Sequence, residues 1–295
     1  MSVNSAKKTK SKVIAVVGPT ASGKTAYSIE LAEKIGGEII SADSRLVYKG
    51  LDIGTAKPTI EERKGIPHYM IDIVEPEVEY SAGLYVKEAR KCIDDILSRG
   101  KTPIIAGGTG LYFRILLEQY DLPEVPPNYP LREELKKLDS TELHSILRDL
   151  DSEAADKIYE NDKKKLIRYI EIIKSTGKKI SESRGISEPE FDVEWIGCNF
   201  PRDILYERIN KRVDMMIEKG LIEETKQLLN KHGRINNLLY TIGYQEIISY
   251  LDGEMTLDEA SALLKQNSRR YAKRQLTWFR KNENIKWNHY PERLS

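Results

Sequence analysis

Residues 13–25 read VIAVVGPTASGKT. Five apolar residues in a row suit a strand buried on both faces of a parallel sheet. They run into Gly18-Pro19-Thr20-Ala21-Ser22-Gly23-Lys24-Thr25, which matches G-x-x-x-x-G-K-[ST] in full. A helical spacing follows through Tyr27, Leu31 and Ile35, and Gly36-Gly37 stops it. The physical logic of the loop is direct. Glycines let the backbone wrap an anion with its N–H groups inward, and the helix N-terminus adds a positive dipole end. Lys24 supplies a mobile point charge and Thr25 a hydroxyl for Mg²⁺. The blander alternative is a chance glycine turn, which the strand before and the helix after argue against.

Outward from this loop the same alternation continues. Glu38 to Ala42 (EIISA) reads as a second strand ending at Asp43, and His68 to Val74 as a third. Ser81 to Ser98 has helical spacing through Leu84, Ala89, Ile93 and Leu97. Pro103 to Ala106 reads as a fourth strand, feeding Gly107-Gly108-Thr109-Gly110. Strands alternating with helices predict an α/β domain with a parallel sheet flanked by helices.

Composition shifts at residue 123. Four of the 12 prolines fall at Pro123, Pro126, Pro127 and Pro130, and beyond them only helical patterns appear until about Glu182. Phe191 to Phe200 then returns to strand character, and Asp203 to Lys281 is again helical, with Thr256 capping its last long helix. The expected plan is a phosphate-loop core, 1–122 with 189–295, interrupted by an all-helical insertion over 123–188. Residues 1–12 are expected to be a frayed tail.

Composition bounds the function. The 295 residues suffice for a large core, with 40% hydrophobic and 32% charged. Forty-seven basic and 46 acidic residues leave a net charge of +1, so any nucleic-acid surface must come from local clustering. No uncharged run approaches the 20 or so residues of a membrane span. The apolar run Val13 to Val17 is too short for a signal peptide. Cys92 and Cys198, with His68, His144, His232 and His289, show no metal-ligand spacing and are expected to be structural.

The loop specifies polyphosphate without specifying which. A kinase or ATPase would bring an acidic metal ligand at the end of another strand, but Pro103–Ala106 ends in glycines. Asp72 could serve weakly. Asp43 is better placed, because carboxyl ends of parallel strands line the ligand crevice. Its blander alternative is a turn cap. Thr109, in the second glycine turn, is a plausible second wall of the site or simply a helix cap. Arg208 and Arg212, spaced i, i+4, either pair with nearby acids or reach the phosphate site. Lys265 to Lys281 holds seven basic residues and no acidic one, interleaved with Tyr271, Trp278 and Phe279. Arg270 and Arg274 share one helix face, as do Arg269 and Lys273. A second cluster, Lys163, Lys164, Lys165 and Arg168, lies in the insertion. Each could be a solvated face; together they favour a long anionic ligand such as RNA.

The ordered segments GPTASGKT (18–25), SADSRLVYKGLDIGTAKP (41–58), HYMIDIV (68–74), GGTGLY (107–112), the RxxxRVDMMxxxGLIEE pattern from Arg208, IGYQE (242–246) and AKRQLTWFR (272–280) resemble the tRNA dimethylallyltransferases. The likeness spans nearly the whole chain, and the combination is specific where the phosphate loop alone is not. It implies transfer of a dimethylallyl group from its diphosphate to N6 of the adenine beside the tRNA anticodon, position 37. The loop residues Gly18, Thr20, Ala21, Ser22, Gly23, Lys24 and Thr25, with Arg212, would then hold the diphosphate, and Thr25 the Mg²⁺. Asp43 would take the N6 proton, and Thr109 would donate to the diphosphate or line the channel. Ser44, Arg45, Leu46, Arg132, Lys165, Arg168, Arg269, Arg270, Lys273, Arg274 and Gln275 would contact tRNA. The sequence departs from the family's usual glutamine at Leu46, which cannot hydrogen-bond a base edge. A relative acting on free adenine nucleotides would need neither basic cluster, and a non-catalytic RNA binder would not need Lys24, Thr25 and Asp43. No Cys/His finger follows residue 280, so the resemblance implies a bacterial, cytoplasmic type, expected to be a monomer.

Overall fold

The computed structural model describes residues 10–118, 125–182 and 189–289. The expected tail up to residue 9, Pro123, and the expected close of the insertion at residue 188 lie outside the described residues. Two compact units emerge, residues 1–118 with 189–295, and residues 119–188. The first begins with β1 (Ser11–Val17), α1 (Lys24–Ile35), β2 (Glu38–Ala42), β3 (His68–Tyr69), α2 (Ala82–Ser98), β4 (Pro103–Gly107) and α3 (Gly110–Leu117). The second holds α4 (Tyr129–Lys136), α5 (Ser140–Leu150), α6 (Ser152–Ala155) and α7 (Lys163–Thr176). The first resumes with β5 (Phe191–Asn199), α8 (Arg202–Glu218), α9 (Leu221–His232), α10 (Asn236–Leu239), α11 (Tyr244–Leu251), α12 (Leu257–Phe279) and β6 (Lys286–His289).

The six strands form one parallel sheet in the order β3-β2-β4-β1-β5-β6. β1 is central, and its uniform apolar run is explained by what covers each face. Ile14 and Val16 pack with Ile29 and Ala32 of α1. Val13, Ala15 and Val17 face a cluster containing Tyr85, Ala89 and Ile93 of α2 and Phe113 of α3. The register sets up the site. Val17 pairs with Gly107, and Gly107 pairs with Ala42, so three strands end side by side. Each end delivers one motif: the loop from Gly18, the Asp43 segment, and the turn through Thr109.

Three expectations are corrected. The strand from His68 stops at Tyr69 because Met70 and Asp72 adopt left-handed backbone (φ 63° and 56°). Val74 only bridges to Tyr48. Asp72 is held in that turn by Lys57 and by its N–H donating to the Leu46 carbonyl at 3.0 Å. Ser11 and Lys12 do not belong to a frayed tail, since β1 begins at Ser11 and Lys12 pairs with Glu194 of β5 at 2.7 Å. β6 was not anticipated. Its KWNH sequence has no apolar run, and it pairs along β5 with Trp287 against Gly197, where an added Cβ would meet the indole at 2.6 Å.

Beside the sheet, the segment after β2 is packed into a second apolar cluster. Val47, Tyr48 and Leu51 meet Val213, Leu221, Leu228, Tyr244 and Ile247 of α8, α9 and α11. The second unit has its own core, with Leu143, Leu147, Leu166 and Ile170 all fully buried.

Candidate active site

The phosphate loop is built by close backbone contacts and held from outside. Gly18 presses on β5 so tightly that a Cβ would stand 2.3 Å from the Cys198 carbonyl oxygen, so only glycine fits. Ala21 is forced into the left-handed region (φ 60°), a costly conformation without glycine. Its carbonyl accepts from Arg208 Nε at 3.0 Å, and that guanidinium lies 4.6 Å from the centre of the Phe200 ring. Arg208 is thus a support for the loop, while Arg212, one turn later, faces the site. Thr20 is gripped twice. Its N–H donates to Gln275 Oε1 at 2.8 Å, and its Oγ1 accepts from Arg212 Nη1 at 3.2 Å.

Lys24 folds back over the loop, its Nζ donating to the Pro19 carbonyl at 3.0 Å. Burial lowers its pKa to about 8, with Asp43 opposing the shift and Arg212 adding to it. Burial likewise pulls Arg212 below the ordinary guanidinium value, against the attraction of Asp43. Two cations crowded together without a countercharge of matching size are what an anion site requires. Thr25 lies in the first turn of α1 and is exposed.

Asp43 follows β2 in a turn closed by its own Oδ1, which accepts from the Arg45 N–H at 2.8 Å. The turn is tied to the neighbouring strand end. Thr109 Oγ1 accepts from the Ser44 N–H at 3.0 Å, and the Thr109 N–H donates to the Ala42 carbonyl at 3.1 Å. Gly107 makes this possible, since a Cβ there would stand 2.1 Å from the Ala42 oxygen. Behind the segment, Glu224 accepts from the Ile53 and Gly54 N–H groups at 2.8 and 3.0 Å and from the Tyr244 hydroxyl at 2.6 Å.

These elements enclose a cavity of about 480 Å³. Thr20, Lys24, Thr25 and Arg212 line one part; Asp43, Ser44, Arg45 and Leu46 line another; Tyr271, Arg274 and Gln275 of α12 close a third. Burial, and then the charge of Asp43, hold the Tyr271 phenol well above its usual pKa, so it stays neutral at the cavity wall.

A family model described as IPP transferase matches residues 46–282, and one described as isopentenyl transferase matches residues 11–79. The chain belongs to the IPP transferase family. Proteins named tRNA dimethylallyltransferase are similar over nearly the whole chain. One from Carboxydothermus hydrogenoformans is 49% identical, covering 94% of this chain and 91% of its own. One from Acetivibrio thermocellus is 48% identical, covering 93% and 90%. The solved tRNA isopentenylpyrophosphate transferase of Staphylococcus epidermidis is 44% identical with a TM-score of 0.70, covering 95% of this chain and 93% of that one. A eukaryotic dimethylallyltransferase acting on tRNA is 32% identical with a TM-score of 0.82, covering 91% and 70%. The fold is that of these isopentenyltransferases, an enzyme family that transfers prenyl groups.

Within this family member the expected site residues divide. Lys24, Thr25, Thr20, Arg212, Asp43, Ser44, Arg45 and Leu46 share the cavity wall. Gly18, Ala21, Ser22 and Gly23 shape the loop behind it. Thr109 stands behind the wall: its hydroxyl accepts from the Ser44 N–H and hydrogen-bonds the Tyr271 phenol, which lines the cavity. Gln275 is 5% exposed and lines the cavity, where its amide accepts from the Thr20 N–H and donates to the Gly108 carbonyl at 3.0 Å. On α12 Arg270 and Lys273 are exposed, Arg269 donates to Asn210 at 2.6 Å, and Arg274 stands 5.7 Å from the Tyr271 ring. In the second unit, Arg132 and Arg168 both bind the fully buried Glu171, Arg132 at 2.8 and 3.0 Å and Arg168 at 2.5 Å. A buried carboxylate needs such partners, so these two arginines hold that unit together. Lys165 stands 5.6 Å from the centre of the Tyr169 ring.

Sequence reasoning missed Glu171, Glu224 and Lys57. The Lys57 side chain is 4% exposed; its ammonium donates to the Tyr48 carbonyl at 2.9 Å, to Asp52 at 2.6 Å and to Asp72, and Asp72 is not part of the cavity wall. Glu224 sits in the GLIEE segment, a visible signal without a visible partner. Among the described residues no cluster of His, Cys, Asp and Glu could hold a metal ion, and no helix is long and apolar enough to cross a membrane.

Proposed function

We propose that this chain transfers the dimethylallyl group of dimethylallyl diphosphate to N6 of the adenine beside the tRNA anticodon, position 37. The observation that carries this reading is the single cavity in which Lys24 and Arg212 face Asp43, under the α12 helix that bears Arg270, Lys273 and Arg274. The phosphate loop holds the donor's diphosphate with its N–H groups, Lys24 and Arg212. The adenine leaves the anticodon stack to enter from the side of Leu46 and Tyr271, as base chemistry requires.

In the reaction N6 attacks C1 of the dimethylallyl group. The N6–C1 bond forms, the C1–O bond breaks, and diphosphate leaves with the bonding electrons. Charge grows on the leaving oxygens, where Lys24, Arg212 and the loop dipole stabilise it electrostatically. Asp43 takes the N6 proton. A carboxylate is a weak base, so its placement by the Arg45 N–H and by the Thr109–Ser44 bond carries much of its effect. Thr25, whose hydroxyl is exposed on the cavity wall, would hold Mg²⁺ brought with the diphosphate, and the ion would supply charge neutralisation to the leaving group. Arg270, Lys273 and Arg274, with Lys165 of the second unit, supply phosphate contacts to tRNA.

Asp43→Ala tests the reading. Turnover should fall roughly 10²-fold or more while tRNA affinity stays within about twofold. Surviving turnover would remove Asp43 as the base.

A further inference from the structure

Gln275 is a buried side chain whose amide bridges two different loops. Its Oε1 accepts from the Thr20 N–H of the phosphate loop at 2.8 Å, and its Nε2 donates to the Gly108 carbonyl at 3.0 Å. Thr20 also carries Arg212 on its hydroxyl, and Gly108 precedes Thr109, which orients the Asp43 turn through Ser44. The fit leaves no slack: a Cβ on Gly108 would stand 2.1 Å from Gln275 Nε2. The leaving-group end and the proton-accepting end of the cavity are therefore joined by one amide. That amide projects from α12, one residue after Arg274 and two after the exposed Lys273.

We infer that Gln275 is a positioning residue that fixes the phosphate loop against the Asp43–Thr109 edge, and that through it RNA bound on α12 and diphosphate bound in the loop strengthen each other's binding. This deepens the function proposed above and rests on it. The chemistry demands an amide: it must accept from one loop and donate to the other with opposite ends. Neither end can reverse, because Thr20 offers an N–H and Gly108 a carbonyl. A ligand on α12 that orders this helix orders both loops at once, and linkage makes that effect reciprocal.

The test uses inorganic pyrophosphate with the full chain, free and with unmodified tRNA, and measures affinity by calorimetry. For the wild type, tRNA should tighten pyrophosphate several-fold. Gln275→Met fills the volume but loses both hydrogen bonds. It should weaken pyrophosphate about tenfold without RNA and abolish the tightening by tRNA, while tRNA affinity measured alone stays within about twofold. Lys273→Ala should weaken tRNA and leave pyrophosphate affinity unchanged without RNA. Gln275→Glu supplies a second readout. Its carboxyl can satisfy both loops only when protonated, and burial raises its pKa. Its transfer rate relative to wild type should therefore recover as pH falls from 8 to 6, while that of Gln275→Met stays flat. Wild-type pyrophosphate affinity retained in Gln275→Met would overturn the inference. So would tightening by tRNA that persists in that variant. Wild-type protein that binds pyrophosphate but labels no tRNA would refute the transfer reading instead, and the pyrophosphate comparison would still decide the role of Gln275.

Discussion

Replacing Thr109 by valine separates orientation from binding in this cavity. Valine keeps the shape of threonine but cannot accept the Ser44 N–H, which lies 3.0 Å from the Thr109 hydroxyl. Losing a neutral hydrogen bond costs about 1 kcal/mol, and leaving a partly buried N–H without a partner raises that to about 1–3 kcal/mol. Part of this falls on folding and part on the Asp43 turn, which remains closed by the Arg45 N–H at 2.8 Å and by the Thr109 N–H to Ala42. If the turn bears most of it, transfer slows roughly 10- to 100-fold, since each 1.4 kcal/mol is a factor of ten. The assay is single-turnover transfer of labelled dimethylallyl groups to tRNA, run beside pyrophosphate calorimetry and thermal melting. Pyrophosphate affinity should hold within about twofold, because the loop, Lys24 and Arg212 are untouched. Thr109→Ser, which keeps the acceptor, should recover most of the rate. A valine variant with wild-type turnover would refute the orienting role. A valine variant that also loses pyrophosphate would place Thr109 in the diphosphate site instead.

Other outcomes follow from the same geometry. With a pKa lowered to about 8, Lys24 is charged below that pH and loses its charge above it. Bound diphosphate raises the value, so affinity for pyrophosphate should be greatest below pH 7 and fall toward tenfold per unit above pH 8, a slope missing from Lys24→Met. Glu38 is 1% exposed at the start of β2; Arg99, then Lys101 and Tyr69, hold its carboxyl down at about 2 although burial opposes them. A depressed carboxylate stabilises the fold above its unfolded value near 4.5 and loses that contribution as pH falls toward 2. Glu38→Gln should thus cost about 2 kcal/mol at pH 7, discounting for the half-exposed Arg99, and the gap to wild type should close in acid denaturation below pH 4.5. An equal gap at pH 7 and pH 3 would assign the loss to packing.

Much of this was legible in the sequence because it is local. A phosphate loop needs its strand, glycines, lysine and helix consecutively, so residues 13–35 announce both element order and chemistry. Asp43 and Thr109 were readable because strands of a parallel sheet end on one edge, and the pairing of Val17, Gly107 and Ala42 brings their turns together. What stayed hidden depends on partners far along the chain. Gln275 looks like one more polar residue on a basic helix, and its partner Thr20 is 255 residues away. Arg132 and Arg168 carry the charge of an RNA contact, yet Glu171 holds both. The strand end at Tyr69 could not be foreseen either, because the left-handed turn at Met70 and Asp72 is fixed by Lys57. β6 has no strand pattern of its own and is held through its pairing with β5.

The central claim is that one cavity joins dimethylallyl diphosphate to an adenine presented by tRNA. The measurement that tests it most directly is a competition of acceptors: the purified chain, Mg²⁺ and labelled dimethylallyl diphosphate with unmodified tRNA bearing adenines beside the anticodon, and separately with AMP. Label in tRNA alone, at N6 of the adenine at position 37, is the expected result, and it would show that Leu46 serves in place of glutamine. Label in AMP alone would contradict the claim and make the cavity a site for free nucleotides. Label in neither, with tRNA still bound, would contradict it as well and leave an RNA-binding protein with a silent site.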